Sequence, residues 1–150
     1  MWLAAVGRVK PGPEKTLFEQ YSKRLQPPLT LCEVEEKRPL TGLERKAQEA
    51  KLLLAAIPDK AKIIVLDERG SSLTSLQLAR KIEVWRDDGF ADMAFLIGGA
   101  DGHDPSIRDK ADLVLNLGTL TWPHMLVRVL IAEQLWRVHS ILSGHPYHRE

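Results

Sequence analysis

Apolar residues fall into short unbroken runs separated by stretches with helical spacing. Trp2–Val6 is such a run, stops at Gly7 and predicts a buried strand. Pro11-Gly12-Pro13 breaks the chain, with Pro13 suited to a first helical turn. Leu17, Phe18, Tyr21 and Leu25 recur at helical spacing until Pro27-Pro28, and Leu29–Val34 is a second short strand. Thr41-Gly42-Leu43-Glu44 has capping-box spacing, with Thr41 at the N-cap and Glu44 three residues on. Leu43, Ala47, Ala50, Leu54 and Ile57 then form one helical face that Pro58 ends. Ile63–Leu66 is a continuous β-branched strand, and Ser75 is placed to cap a helix carrying Leu78, Ile82 and Trp85 up to Gly89. Met93–Ile97 runs into Gly98-Gly99, Asp104-Pro105 opens a short helix, and Leu113–Leu117 is the fifth strand. Thr121 and Pro123 start the longest helix, which runs to about Leu142 before Gly144 and Pro146. Five continuous apolar strands alternating with helices predict a single-domain α/β fold. Its mostly parallel sheet is flanked by helices on both faces.

The 150 residues fit one domain, long enough to bury roughly 68–70% of the extended-chain surface without a staple. Lys and Arg total 21 against 20 Asp and Glu, so the net charge of +1 excludes a strongly basic nucleic-acid glove. A local basic site remains open, since the first 51 residues hold ten Lys or Arg against seven Glu. The single cysteine, Cys32, excludes an intrachain disulfide and a four-thiolate zinc site; no metal centre is assigned. The opening segment has no basic region ahead of its apolar run, so no signal peptide is expected. Apolar runs reach only about six residues, far short of a membrane span. A cytoplasmic, membrane-free protein is the expectation.

All five histidines lie in the last third, at positions 103, 124, 139, 145 and 148, which makes that third the place to seek a reaction centre. Ligands of open α/β sheets bind beyond the carboxyl ends of the strands. Three loops qualify: Leu66–Gly70, Gly98–His103 and Gly118–His124. The glycines at 98, 99 and 102 match neither the dinucleotide fingerprint nor a P-loop, so they make either a tight turn or a cradle of another kind. Asp67 either caps a turn or bonds a ribose or adenine. Gly118–Pro123 carries no charge and suits a flat neutral ring, or is simply a helix start capped by Thr121. Arg128 on an apolar helix either pairs with an acid or faces an anionic substrate. His139 reads as a packing residue, and Cys32 as a small buried apolar one. The tail Gly144–Glu150 packs two His, a Tyr and an Arg around Pro146, unlike an ordinary frayed end.

Three separated segments, Leu96–Gly99, Leu117–Leu130 and His145–Glu150, together resemble one group of proteins. They are the small SPOUT-superfamily methyltransferases that act on ribosomal RNA of the large subunit. The opening Ala5-Val6-Gly7-Arg8-Val9-Lys10 and the pair Leu66-Asp67 extend the resemblance over the whole chain. Where that family's loop often reads Gly-Gly-Pro-Glu-Gly, this chain has Gly98-Gly99-Ala100-Asp101-Gly102. The resemblance implies S-adenosyl-L-methionine (SAM) as cofactor. Its contacts would be Leu66, Gly98, Gly99, Gly118, Thr119, Leu120, Thr121, Trp122 and Pro123, with His124 adjacent. It implies a C-terminal trefoil knot, a homodimer joined partly through the last helix, and methylation of N3 of a pseudouridine in 23S rRNA on the assembled ribosome. That chemistry needs a group to take the N3 proton, and histidine does so near neutral pH. His148 is the first candidate and His124 the second. Arg149 is placed to stabilise charge on the uracil carbonyl oxygens, and Tyr147 to stack on the base or bond it.

Two other classes compete. A flavodoxin-like nucleotide-binding protein would need a phosphate cradle, and Gly7-Arg8-Val9-Lys10 is a poor one. A SPOUT-fold ribosome-binding factor without transfer chemistry would have little use for the intact tail.

Overall fold

The computed structural model describes residues 1–149. In chain order the elements are β1 (Trp2–Val6), α1 (Pro13–Ser22), β2 (Thr30–Val34), α2 (Gly42–Ala55), β3 (Lys62–Ser72), α3 (Ser75–Asp87), β4 (Met93–Ile97), α4 (Pro105–Asp109), β5 (Leu113–Asn116) and α5 (His124–Ser143). The strands form one sheet in the order β2-β1-β4-β3-β5, and every pairing is parallel. The fold is the expected α/β arrangement.

Alternate residues of each strand serve the two faces of the sheet. Leu3, Ala5, Ile64, Met93, Phe95 and Ile97 join a core with Phe18 of α1, Ile82 and Trp85 of α3, and Ile131 and Leu135 of α5. Ala4, Val65, Ala94 and Leu96 face Leu53 of α2 and Ile107 of α4. All five residues of β4 are buried, because β4 is central in the sheet and covered on both faces. Burying each large aliphatic or aromatic side chain there contributes about 1.5–3 kcal/mol before conformational entropy is charged against it.

Local signals fixed most helix ends. The Thr41–Glu44 capping box forms as predicted. The cap of α3 is one residue earlier than expected: Thr74, in extended conformation, accepts from Gln77 N–H, and the Gln77 side chain answers. Ser75 instead donates from Oγ to Gln134 of α5 at 2.7 Å. Thr121 does not cap α5, whose N-cap position is Pro123, without a side-chain cap. The first helix ends at Ser22 rather than near Leu25, and Leu25 closes the following turn with its N–H on Ser22 O. The strand expected over residues 63–66 runs on to Ser72. Leu66 and Ser71 both pair with Leu115, so residues 67–70 bulge out and the chain returns to the same point on β5. Gly70 makes the return possible. A Cβ there would stand 2.6 Å from the Val114 carbonyl.

Candidate active site

A parallel sheet puts all its carboxyl ends on one edge. There the loops after β3, β4 and β5 enclose a cavity of about 430 Å³, a size typical of small-molecule sites. Leu66, Gly98, Gly99, Gly118, Leu120, Thr121, Trp122 and His124 line it. Thr119 and Pro123 belong to the same loop but do not line the cavity.

The glycine loop is sterically committed. Gly98 and Gly99 are both buried. A Cβ on Gly98 would meet the Gly102 carbonyl carbon at 3.1 Å and the His103 ring at 3.2 Å. One on Gly99 would meet the Glu49 carboxylate at 2.6 Å. Gly102 N–H donates to Gly99 O at 3.0 Å and closes the turn. Bare backbone therefore forms this wall of the cavity.

Asn116 organises the loop after β5. Its Nδ2 donates to Gly70 O at 2.9 Å, while its Oδ1 accepts from Ser72 Oγ at 2.8 Å and from Gly118 N–H at 3.2 Å. The Trp122 indole N–H donates to Leu117 O at 3.2 Å, drawing the loop into a curl. Leu120 is left 72% exposed at its tip.

The charged side of the cavity is Asp67 with Arg108. Arg108 Nη1 donates to Asp67 Oδ2 at 3.2 Å, and Arg69 N–H donates to Asp67 Oδ1 at 2.9 Å. Burial works against the Asp67 carboxylate, but these donors hold its pKa below the usual range. Asp67 thus both caps a turn and carries a fixed negative charge into the cavity wall. His103 lines the cavity while nearly buried, and that burial lowers its pKa. Arg128 resolves to ion pairing: it is 2% exposed, bonded to Glu33, and donates to Val6 O and Gly7 O at 3.1 and 2.7 Å. It ties the ends of β1 and β2 to α5 and is not among the residues lining the cavity.

Among the described residues of the tail, 145–149, none lines the cavity. The Tyr147 hydroxyl donates to Glu133 Oε1 at 3.0 Å, its ring lies 5.8 Å from Trp136, and the Arg137 guanidinium covers it at 5.0 Å. Burial and bonds to Tyr21 and Glu133 push the Tyr147 phenol up, so it stays protonated. His148 is half-buried with both ring nitrogens unpartnered, and Arg149 is exposed. The last residue of the tail motif, Glu150, lies outside the described residues. His103, Arg108 and Asn116 are site residues that sequence reasoning did not single out. The available signal was placement alone: a polar residue directly after an apolar strand, or within the glycine loop.

A family model described as "Predicted SPOUT methyltransferase" matches residues 1–148. The chain belongs to the SPOUT methyltransferase family. Among its relatives, the ribosomal RNA large subunit methyltransferase H of Paramagnetospirillum magneticum is 60% identical over 147 residues, covering 98% of this chain and 97% of the relative. The protein of the same name from Rhodospirillum centenum is 56% identical over 149 residues, 99% of this chain and 98% of that one. The structure of a probable methylase family protein from Haemophilus influenzae Rd KW20 superposes with a TM-score of 0.60. It is 10% identical and covers 99% of this chain and 70% of that one, which supports the fold. Family membership across the chain sets aside the flavodoxin-like reading. This SPOUT methyltransferase is an enzyme of a family that takes its methyl group from SAM. Among the described residues no helix is long and apolar enough to cross a membrane.

Proposed function

We propose that this methyltransferase transfers a methyl group from SAM to N3 of a pseudouridine in large-subunit rRNA, on the assembled ribosome in the cytoplasm. One observation carries the reading: the three loops that the motifs single out converge on one cavity with a wall of bare glycine backbone. The names of the two similar bacterial proteins supply the substrate class. The cavity fits the cofactor, because its volume suits a nucleoside-sized ligand and Gly98 and Gly99, each crowded where a Cβ would stand, expose peptide groups to it.

Leu66, Gly98, Gly99 and the Gly118–Pro123 loop would hold SAM, which supplies an electrophilic methyl group when bound. The chain's own part is orientation and proton removal. Holding the two reactants in line converts a bimolecular encounter into a unimolecular step. His148 takes the N3 proton on an imidazole nitrogen, with His124 as second candidate; such a base contributes roughly 10²–10⁴-fold. Arg149 stabilises negative charge on the uracil carbonyls, and Tyr147 holds the base by stacking.

The same reading makes the protein a homodimer. In its own chain Tyr147 is seated on Glu133, nine residues along α5 from His124, or about 14 Å of helix. The backbone of His148 and Arg149 extends at most about 7 Å beyond Tyr147. A second copy, docked along α5 where Leu126 is exposed, would bring its tail to this cavity. The trefoil crossing belongs to this reading too.

The test is methyl incorporation from labelled SAM into intact ribosomes and into protein-free rRNA, with the product nucleoside identified. N3-methylpseudouridine from ribosomes, with little from free RNA, is expected, because a protein of charge +1 gains little affinity from phosphates alone. Label in another nucleoside, or in none, would refute the assignment.

A further inference from the structure

Leu66 ends the apolar part of β3, and Gly98 follows β4. Both line the cavity, and the His103 side chain lies against both. A Cβ on Gly98 would be 3.2 Å from the imidazole Cε1 and Cγ atoms, and the ring also lies beside the carbonyls of Leu66 and Leu96. His103 is 6% exposed, yet neither ring nitrogen makes a hydrogen bond of normal geometry. An imidazole buried with only poorly aligned carbonyls of Leu66 and Leu96 to bond costs stability, so its retention at the wall of a cavity calls for a role. The main chain on either side leaves it little freedom: Gly102 is folded back on Gly99, and Asp104 caps α4.

We propose that His103 is a positioning residue for the methyl donor, wedged between the ends of β3 and β4 so that Leu66 and Gly98 stand at the separation the donor requires. The inference rests on the proposed donor site and adds a residue to it. The wedge works as an uncharged ring. The charged groups facing it are Asp67 from β3 and Arg108 from α4. Burial lowers the His103 pKa from its ordinary 6.5, opposed by Asp67 and by the Leu96 and Leu66 carbonyls, with Arg108 adding to the lowering. Protonation would draw the ring toward Asp67, compete with Arg108 for that carboxylate and loosen the glycine loop. Acidification below the ordinary histidine value therefore weakens donor binding.

Calorimetric titration of SAM and of S-adenosylhomocysteine into the full-length protein, between about pH 8 and pH 5.5, reads this directly. The wild type should bind more weakly at the acid end than at pH 8, the loss steepening toward tenfold per pH unit only below the lowered pKa of the ring. His103→Leu, which fills the wedge without a titrating nitrogen, should bind with a flat pH profile near the wild-type value at pH 8. His103→Ala should bind at least about tenfold more weakly at every pH. The ring ¹⁵N shifts of His103 should report a neutral imidazole at about pH 6.5. An unchanged acid loss of affinity in His103→Leu would overturn the proposal. So would wild-type affinity in a folded His103→Ala. If His103→Ala does not fold, the leucine variant's profile decides. If the wild type binds neither ligand, the donor-site reading has failed instead.

Discussion

Glu49 is a buried acid on α2 whose carboxylate presses against Gly99, and nothing in its helical position marks it as unusual. Burial raises its pKa, opposed by Arg45 and reinforced by Asp101 and Glu36. The unfolded chain releases this proton near the ordinary 4.5, whereas the folded chain holds it to higher pH. The folded state thus binds more protons in that window, and stability falls as pH rises through the raised value. Glu49→Gln should therefore melt at a higher temperature than wild type near pH 8, the gap closing toward about pH 4, as followed by circular dichroism. A lower melting temperature at pH 8 would show that the ionised carboxylate is net stabilising, against its burial. Arg128 teaches a related lesson. Pairing and substrate binding were equally open to a sequence reader, and the partner that settles it, Glu33, is 95 residues away.

Elements were legible where their signals are local. A capping box spans four residues, so Thr41 and Glu44 announce α2 without help from the rest of the chain. The start of α3 was misplaced by one residue because Thr74 and Ser75 are both good caps; Ser75 is drawn instead to Gln134, 59 positions on. The extension of β3 was illegible, because Asp67–Gly70 is polar and reads as a loop until β5 is alongside. Gly70→Ala tests that contact. Its new Cβ would meet Val114 backbone at 2.6 Å, and backbone cannot swing aside as a side chain can. Loss of about 1–3 kcal/mol in urea unfolding is expected, with weaker SAM binding, since Asn116 bonds Gly70 O and organises the cavity loop. Gly99→Ala meets a carboxylate on a flexible side chain and should cost less stability.

At the scale of the molecule, the strand order places the loops after β4, β3 and β5 side by side, and the cavity follows from that order. The tail follows a different logic, lying along α5 on Glu133 and Trp136 rather than at the cavity of its own chain. If two copies complete each other, Gly98→Val and Arg149→Ala should each be inactive alone. Mixed dimers of the two should recover activity, because one partner keeps an open cavity and the other an intact tail. Failure of well-folded mixed dimers to recover any activity would return the tail to its own subunit.

The sequence by itself determined the alternation of strands and helices, the caps of α2 and α4, the family and the loops that hold its motifs. Each depends on residues within about one or two turns of one another, or on short motifs read directly. Tertiary structure alone decided the strand order, the return of β3 to Leu115, the enclosure of His103 and the seat of the tail. Those outcomes rest on contacts such as Asp67 with Arg108, 41 residues apart, and chain periodicity carries no information about which distant partners meet.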